Sequence, residues 1–236
     1  MSKLISQILN TNLSSLDEIF AQKNKIYTFL NPVSYILASD HENDYEDFDA
    51  IFADGSILVA FIRLFYGTKV IRRSFDMTSV APALFDYAQK NNKTVYVIAS
   101  KQEEVEKAIY VIKDRYPALN FIAYRNGYFK SDIEEQEEMS KILQLQPDFL
   151  IVGMGVLKQE TFLTQVRKMG FSGTGFTCGG FIHQTSKDEI DYYPKWIDKY
   201  NLRFIYRIFK EKHTRKRYLK AAFVFPFIFL KDKLRH

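Results

Sequence analysis

The sequence predicts an α/β fold in which a mostly parallel sheet is covered by helices on both faces. In the second half of the chain, short apolar segments alternate regularly with amphipathic segments of helical length, which is typical of parallel sheets. Residues 149–152 are apolar without interruption, as expected for a strand buried on both faces. The hydrophobic share of 47% is that of a globular protein.

The first part of the chain predicts two strands, at residues 26–30 and 49–53, after one or two short helices within residues 4–20. Asn31 and Pro32 are a typical helix start, with asparagine as the N-cap and proline in the first turn. The helix predicted at residues 57–66 is apolar on nearly all sides and ends at Gly67. We therefore expect it to be buried.

The remaining elements follow in regular order. Strands are predicted at residues 95–99, 121–124, 149–152 and 175–178, and helices at residues 80–90, 103–115, 134–144 and 160–170. Ligands of such sheets bind beyond the carboxyl ends of the strands. The turns expected at that edge contain Asn31, Asp54, Gly127, Gln159 and Gly180.

A glycine turn joins the strand at residues 149–152 to the next helix. Gly153 and Gly155 are followed by Lys158 and Gln159 at the expected helix N-terminus. Backbone N–H groups and a lysine at this point could hold an anion. The turn could equally be an ordinary strand-to-helix connection, because it matches neither common nucleotide-binding glycine motif.

Composition predicts a cytoplasmic protein. The chain of 236 residues has one cysteine, Cys178, which excludes an internal disulfide and fits a reducing compartment. The first residues lack the apolar core of a signal peptide. No apolar run reaches the roughly 20 residues that a membrane-spanning helix needs.

Charge is concentrated at the C-terminus. Residues 201–236 hold 11 lysines and arginines against two acidic residues, a net charge of +9, whereas the whole chain carries +5. Residues 223–230 are apolar, contain Pro226 and lie between lysines, which is typical of a segment in a membrane interface. We predict a core at residues 1–195 and, at residues 196–236, a basic, amphipathic, helical appendage that associates with an anionic membrane. The alternative is a purely structural role, in which these charges form only the solvated face of a helix.

Six motifs occur in an order that resembles the WecG/TagA/CpsF family of bacterial glycosyltransferases, over about residues 25–220. They are Ala53-Asp54-Gly55, the loop at residues 72–76, Gly127-Tyr128-Phe129, residues 155–160, Gly179-Gly180-Phe181, and residues 202–207 with Arg217-Tyr218. The resemblance implies a Rossmann-like core and an inverting, metal-independent enzyme without a cofactor. Such an enzyme moves a sugar, often N-acetylmannosamine or its uronic acid, from UDP to a polyprenyl-diphosphate-linked acceptor. Family members build teichoic acid, enterobacterial antigen or capsule.

The resemblance also implies roles for individual residues. Asp54 would be the catalytic base. The residues implied in substrate binding are Asn31 in the first turn, Arg72 at the diphosphate, Tyr128 against uracil, Lys158 and Gln159 in the pocket, His183, and Arg207 and Arg217 in the tail.

The chain departs from the family pattern at three places. The threonine expected two residues before Asn31 is Phe29, with Thr28 beside it, so we do not assign its equivalent. His183 stands where the family has aspartate, which bears on the nucleotide contact. Leu157 replaces the usual proline before Lys158.

Each candidate also has a simpler interpretation. Asp54 before glycine is a common turn residue, and Arg72 could be a solvated loop arginine. Asp47-Phe48-Asp49 resembles a metal-binding DxD motif, but it precedes its strand, so we interpret it as loop and strand start. The four histidines have no ligand spacing, and no metal site is predicted. Cys178 is expected in the core and the acidic run at residues 134–138 on the surface.

The predicted partners are a UDP-sugar donor, a lipid-linked acceptor and the anionic inner face of the bacterial membrane, with a homo-oligomer left open. An alternative is a non-catalytic nucleotide-sugar or lipid-binding subunit of an envelope-assembly complex. Nucleic acid is not a predicted partner, because the first 200 residues are net acidic and the tail contains a phenylalanine cluster.

Overall fold

The computed structural model describes residues 2–10, 15–188 and 215–234, and the single residues Ile197, Tyr206 and Phe209. Its strands are β1 (Lys25–Leu30), β2 (Ala50–Ala53), β3 (Thr94–Ala99), β4 (Asn120–Arg125), β5 (Phe149–Gly153) and β6 (Thr174–Thr177). They form one sheet in the order β2-β1-β6-β5-β3-β4, and every pairing is parallel. The predicted parallel sheet is confirmed.

Helices connect the strands and cover the sheet. They are α1 (Lys3–Asn10), α2 (Leu16–Ala21), α3 (Pro32–Ser39), α4 (Ser56–Tyr66), α5 (Val80–Lys90), α6 (Gln102–Arg115), α7 (Asp132–Leu145), α8 (Lys158–Lys168), α9 (Phe181–Asp188) and α10 (Arg215–Leu234), with a 3-10 turn at Glu42–Tyr45. The tail motif at residues 202–207 lies, except for Tyr206, outside the described residues.

The two faces of the sheet bury separate cores. Helices α2, α5, α6 and α9 pack on one face, where Phe149 and Phe176 are central. On the other face, α1, α3, α4 and α10 cover the β1–β2 end, and α7 and α8 cover the middle. Successive residues of β5 alternate between the faces, with Leu150 and Val152 opposite Phe149 and Ile151. Helices therefore cover both faces, as the sequence predicts.

Local signals set several helix ends. The Asn31 side chain accepts hydrogen bonds from the backbone N–H groups of Val33 and Ser34, at 3.0 and 3.1 Å, and Pro32 is the first residue of α3. Helix α4 ends at Gly67 in the left-handed conformation, with φ of 67°, which glycine adopts without steric cost. Both predicted helix boundaries are confirmed.

Two burial predictions are wrong. Helix α4 is not buried all round, because of its residues only Leu58 and Ile62 are fully buried and Leu64 is 74% exposed. The helix lies at the margin of the sheet, so one of its sides faces solvent. Glu138, in the acidic run of α7, is 8% exposed and pairs with Arg125 and Tyr96 instead of lying on the surface.

The C-terminal helix α10 packs on the body of the protein through α3 and α4. Phe225 and Phe229 are buried and contact the rings of Tyr35 and Phe61. The Tyr35 hydroxyl donates to the buried carboxylate of Asp232 at 2.8 Å. Two of the tail phenylalanines thus belong to a core. The predicted boundary near residue 195 falls outside the described residues and stays a prediction.

The other phenylalanines of the segment face outward. Phe223 is 73% and Phe227 is 75% exposed, and Leu219 is exposed one turn before them. Residues four apart share a helix face, so Leu219, Phe223 and Phe227 form an apolar stripe. In the part of the chain that the structure describes, no helix is long and apolar enough to cross a membrane.

The packing of α10 predicts that two similar substitutions lower the free energy of unfolding by unequal amounts. Phe229→Ala should lower the free energy of unfolding by about 3–5 kcal/mol, because it leaves a cavity among α3, α4 and α10. Phe227→Ala, two positions away and exposed, should change it by less than about 0.5 kcal/mol. Urea denaturation of both variants measures the difference. Equal costs would mean that α10 does not pack on the body as described.

Candidate active site

A pocket of about 600 Å³ opens at the carboxyl ends of β1, β2 and β6. The turns after these strands form its floor, and α10 forms one wall. Its polar lining residues are Asn31, Ser34, Asp54, Ser56, Arg72, Ser74, Asp76, Gln159, Thr177, Gln184 and Tyr218. Its apolar side includes Phe29, Ile57, Phe61, Phe181, Leu219 and Pro226. The pocket lining therefore contains both polar and apolar side chains.

Asp54 lies in this pocket directly after β2. Its backbone N–H donates to the Leu30 carbonyl at 2.8 Å, which extends the β1–β2 pairing by one residue. Gly55 follows with φ of 92° and starts the turn into α4. The backbone of any residue other than glycine would be strained at this position. The turn geometry thus holds the Asp54 carboxylate, half buried, at the edge of the sheet.

Several helices begin at the pocket. The first residues of α3, α4 and α9, which are Pro32, Ser56 and Phe181, all line it. Helix N-termini carry partial positive charge, which favours anions, although at α3 the N–H groups of Val33 and Ser34 already donate to Asn31. Asn31 uses its side-chain oxygen to cap α3, so its amide is already held in place. The part of the pocket at these helix N-termini suits a phosphate group.

Of two adjacent arginines, Arg72 lines the pocket and Arg73 does not. An Arg72 guanidinium nitrogen lies 3.4 Å from the Ser74 hydroxyl, which in turn donates to Asp76 at 2.7 Å. Arg73 is buried with its guanidinium 5.1 Å from the centre of the Phe52 ring. Burial lowers the pKa of Arg73. Arg72 is therefore the cation placed to meet a ligand in this pocket.

Gln159 is buried at the inner wall, and both ends of its amide are bonded. Its nitrogen donates to the Glu160 carboxyl at 2.8 Å, and its oxygen accepts from the Gly179 N–H at 3.2 Å. Gly153 allows this close approach, because a Cβ there would lie 2.9 Å from the Gly179 carbonyl oxygen. The turn after β6 is thereby packed against the end of β5.

A buried polar network behind Gln159 was not predicted from the sequence. Glu160 is 1% exposed and accepts from the Thr28 hydroxyl at 2.8 Å, and Thr28 lies 2.8 Å from the Thr177 hydroxyl. Burial raises the pKa of Glu160, against the opposing hydrogen bonds from Gln159 and Thr28. The available signal was a hydroxyl residue within an otherwise apolar strand, which needs a hydrogen-bond partner once buried.

Three predicted binding residues do not line the pocket. Lys158 begins α8 but is exposed, and Tyr128 is 65% exposed in the loop after β4. His183 lies on α9 with its Nδ1 2.8 Å from the Glu104 carboxylate of α6. Although partial burial raises the pKa of Glu104, hydrogen bonds from Lys101 and His183 outweigh it and leave that pKa below its usual value. The described pocket lining contains none of the three.

Of the two predicted tail arginines, Arg217 is among the described residues. Arg207 lies outside the described residues. Arg217 is exposed in the first turn of α10, and the next two residues, Tyr218 and Leu219, line the pocket. The start of α10 is thus at the pocket mouth.

Other catalytic chemistries find less support among the described residues. They contain no group of three or more histidine, cysteine, aspartate or glutamate side chains arranged as metal ligands. Asp47 pairs with Lys168, and Asp49 with Lys25 and Arg167, at the amino ends of the strands, away from the pocket. Cys178 is buried beside β6, as predicted, and burial raises its pKa to about 12, which suppresses the reactive thiolate.

The pocket thus combines a carboxylate, an arginine and several helix N-termini. A carboxylate can take a proton from an attacking hydroxyl. Arginine and helix N-termini can stabilise a departing diphosphate. Together these groups can transfer a group between a nucleoside diphosphate and a hydroxyl. The apolar part of the lining could accept a hydrophobic portion of one substrate.

Comparison with known proteins agrees with this chemistry. A family model described as "Glycosyl transferase WecG/TagA/CpsF family" matches residues 6–236. A UDP-Gal:alpha-D-GlcNAc-diphosphoundecaprenol beta-1,4-galactosyltransferase from Shigella boydii is 35% identical, over 82% of this chain and 80% of the relative. An N-acetylglucosaminyldiphosphoundecaprenol N-acetyl-beta-D-mannosaminyltransferase from Staphylococcus aureus (strain NCTC 8325 / PS 47) is 30% identical, over 51% of this chain and 46% of the relative. The resemblance and the class of enzyme predicted from the sequence are confirmed.

Proposed function

The chain belongs to the WecG/TagA/CpsF family of glycosyltransferases, and we propose that it moves a hexose from UDP to N-acetylglucosamine on a polyprenyl-diphosphate carrier, with inversion. The two relatives differ in donor sugar, but both names specify N-acetylglucosamine-diphosphoundecaprenol as acceptor. The acceptor is therefore the part of their activity that we extend most directly to this chain. UDP-galactose is the first donor to assay, because the galactosyltransferase matches a larger part of this chain.

One observation carries the proposal: Asp54 and Arg72 line the same pocket, next to the N-termini of α3, α4 and α9. Transfer from a UDP-sugar needs a base for the acceptor hydroxyl and positive potential for the departing UDP. We assign Asp54 to the first task, and Arg72 with the helix N-termini to the second. Asn31 and Gln159 would hold the donor from the floor and inner wall.

Direct displacement would invert the configuration of the sugar. The acceptor hydroxyl attacks the anomeric carbon from the face opposite UDP, Asp54 takes the hydroxyl proton, and UDP leaves with the bonding electrons. The name of the Shigella boydii relative agrees with this stereochemistry, because UDP-galactose carries an α-linked sugar and the linkage formed is β. This mechanism requires only one carboxylate near the reacting hydroxyl.

The proposed acceptor lies in a membrane, and α10 offers a surface for it. The apolar stripe of Leu219, Phe223 and Phe227 is exposed beside basic residues at both ends of the helix. Phenylalanines in a membrane interface and lysines or arginines near anionic headgroups both favour binding. Leu219 and Pro226 of the same helix also line the pocket. We propose that α10 rests on the inner face of the membrane and leads the carrier lipid to the pocket.

The Asp54 assignment predicts a large loss of rate. Asp54→Asn should fold normally but transfer sugar about 10²–10⁴-fold more slowly, because an amide cannot take the acceptor proton. Release of UDP from UDP-galactose, with a short-chain prenyl-diphosphate-linked N-acetylglucosamine, measures the rate. Asp86→Asn, on the exposed side of α5, is the matched control. Near-normal turnover by Asp54→Asn would remove Asp54 from the mechanism.

The Arg72 assignment predicts that loss of this side chain weakens the interaction with the diphosphate. It also predicts that the wild-type reaction does not depend on a metal ion. Arg72→Ala should lower kcat/KM about 10–100-fold, the usual cost of a lost hydrogen bond to a charged group. EDTA should leave the wild-type rate unchanged. Strong stimulation by Mn²⁺ or Mg²⁺ that is abolished by Asp49→Ala would instead assign a metal-binding role to the residues around β2.

The membrane assignment predicts a selective effect of the apolar stripe. The double variant Phe223→Ser, Phe227→Ser should bind anionic vesicles at least about tenfold more weakly, because it loses two apolar side chains from the interface. Tyr110→Ser, at a 76% exposed aromatic position on α6, is the control. Vesicle co-sedimentation at low and high salt measures binding. Equal sedimentation of both variants would show that α10 is not the anchor.

A further inference from the structure

Glu160 connects β1 with the turn that begins α8, and it does not line the pocket. Its carboxyl accepts hydrogen bonds from the Thr28 hydroxyl of β1, the Gln159 amide of α8 and the Leu157 backbone N–H before α8, at 2.8, 2.8 and 2.7 Å. It is 1% exposed. Burying a carboxyl group is costly unless its oxygens are hydrogen-bonded, and here both oxygens are.

The bond to Leu157 supports an unusual backbone conformation. Leu157 has φ of 72°, a left-handed value that costs a non-glycine residue about 1–3 kcal/mol. Its N–H donates to Glu160, a bond that the proline expected at this position could not make. Glu160 therefore helps to fix the turn that carries Gln159.

The bond to Gln159 determines which way its amide faces. The amide nitrogen donates to Glu160, and the amide oxygen accepts from the Gly179 N–H. Turning the amide over would place two donors together at Gly179 and two acceptors together at Glu160. The amide nitrogen has a second N–H, and no bond to it is found among the described residues. Gln159 lines the pocket, and this N–H is a donor that a ligand can meet.

The third bond extends the network to the neighbouring strand. Thr28 lies between Glu160 and Thr177, with both oxygen–oxygen distances at 2.8 Å. Thr177 ends β6 and lines the pocket. A hydroxyl can donate or accept, so the chain of bonds persists whether or not Glu160 carries a proton. Hydrogen bonding, rather than charge, is what Glu160 supplies.

We propose that Glu160 is a positioning residue, which fixes the Gln159 amide and the Thr177 hydroxyl so that both meet polar groups of the nucleotide-sugar donor. This inference rests on the proposed function, which puts that donor in the pocket. Glu160 does not touch the donor. It acts through Gln159 and, by way of Thr28, through Thr177.

A double-mutant cycle tests whether Glu160 acts through Gln159. Calorimetry without acceptor measures binding of UDP and of UDP-galactose to wild type, Glu160→Gln, Gln159→Ala and the double variant. In Glu160→Gln an NH2 group replaces one of the two carboxyl oxygens. At least one of the groups that donate to Glu160 then loses its acceptor. We expect each single variant to bind UDP-galactose about 5–10-fold more weakly. The loss of binding in the double variant should be smaller than the product of the two single losses, because part of the Glu160 effect passes through Gln159.

Two further variants separate positioning from stability. Glu138→Gln changes another buried carboxyl, on α7, which pairs with Tyr96 and Arg125 away from the pocket. It should lower the melting temperature and leave donor binding unchanged. Thr28→Val should weaken binding about as Glu160→Gln does, whereas Thr28→Ser, which keeps the hydroxyl, should restore it.

Three results would overturn the inference. In one, Glu160→Gln lowers the melting temperature while binding stays at the wild-type value. In another, the Glu160 and Gln159 effects multiply in the double variant. In the third, Thr28→Ser binds as poorly as Thr28→Val. If the wild-type protein binds neither UDP nor UDP-galactose, the proposed function itself fails, and that outcome is seen before any variant is compared.

Discussion

The parallel pairing of β1 with β2 and with β6 is the interaction on which the active site depends. Parallel strands end at the same edge of a sheet, so this pairing brings Asn31, Asp54 and Gly179 together although they are far apart in sequence. The backbone bond from Asp54 to Leu30 continues it beyond the last strand residue. The helices that follow these strands begin at the same edge, which adds positive potential beside the Asp54 carboxylate.

Helix α10 shows how one segment serves two environments. Phe225 and Phe229 are buried against α3 and α4, whereas Phe223 and Phe227 are exposed. Both pairs have a spacing of four residues, so each forms its own stripe on the helix. An apolar segment can therefore contribute to a core and still present apolar side chains outward. Its position beside the pocket connects the fold of the enzyme with the surface on which we propose its acceptor lies.

At the positions where the chain departs from its family pattern, the side chains or backbone groups make specific contacts. Leu157 supplies an N–H to Glu160 at a place where proline has none. His183 pairs with Glu104 and joins α9 to α6, so in this protein it stabilises the position of α9 rather than lining the pocket. Thr28 is buried against Glu160 and Phe29 lines the pocket. Leu157 and Thr28 thus concern how the pocket residue Gln159 is supported, and Phe29 concerns what the pocket contacts.

The sequence alone determined the class of fold, most element boundaries and the residues that meet at the sheet edge. Strand and helix periodicity, the Asn31-Pro32 helix start and the Asp54-Gly55 turn are local properties, and local physics decides them. Burial was decided by tertiary structure: α4 is half exposed, Glu138 is buried, and two tail phenylalanines are core. The network of Glu160, Thr28 and Thr177 could not be predicted either. Its members are up to 149 residues apart, and their hydrogen bonds exist only because the folded sheet places β1 beside β6 and α8 above both.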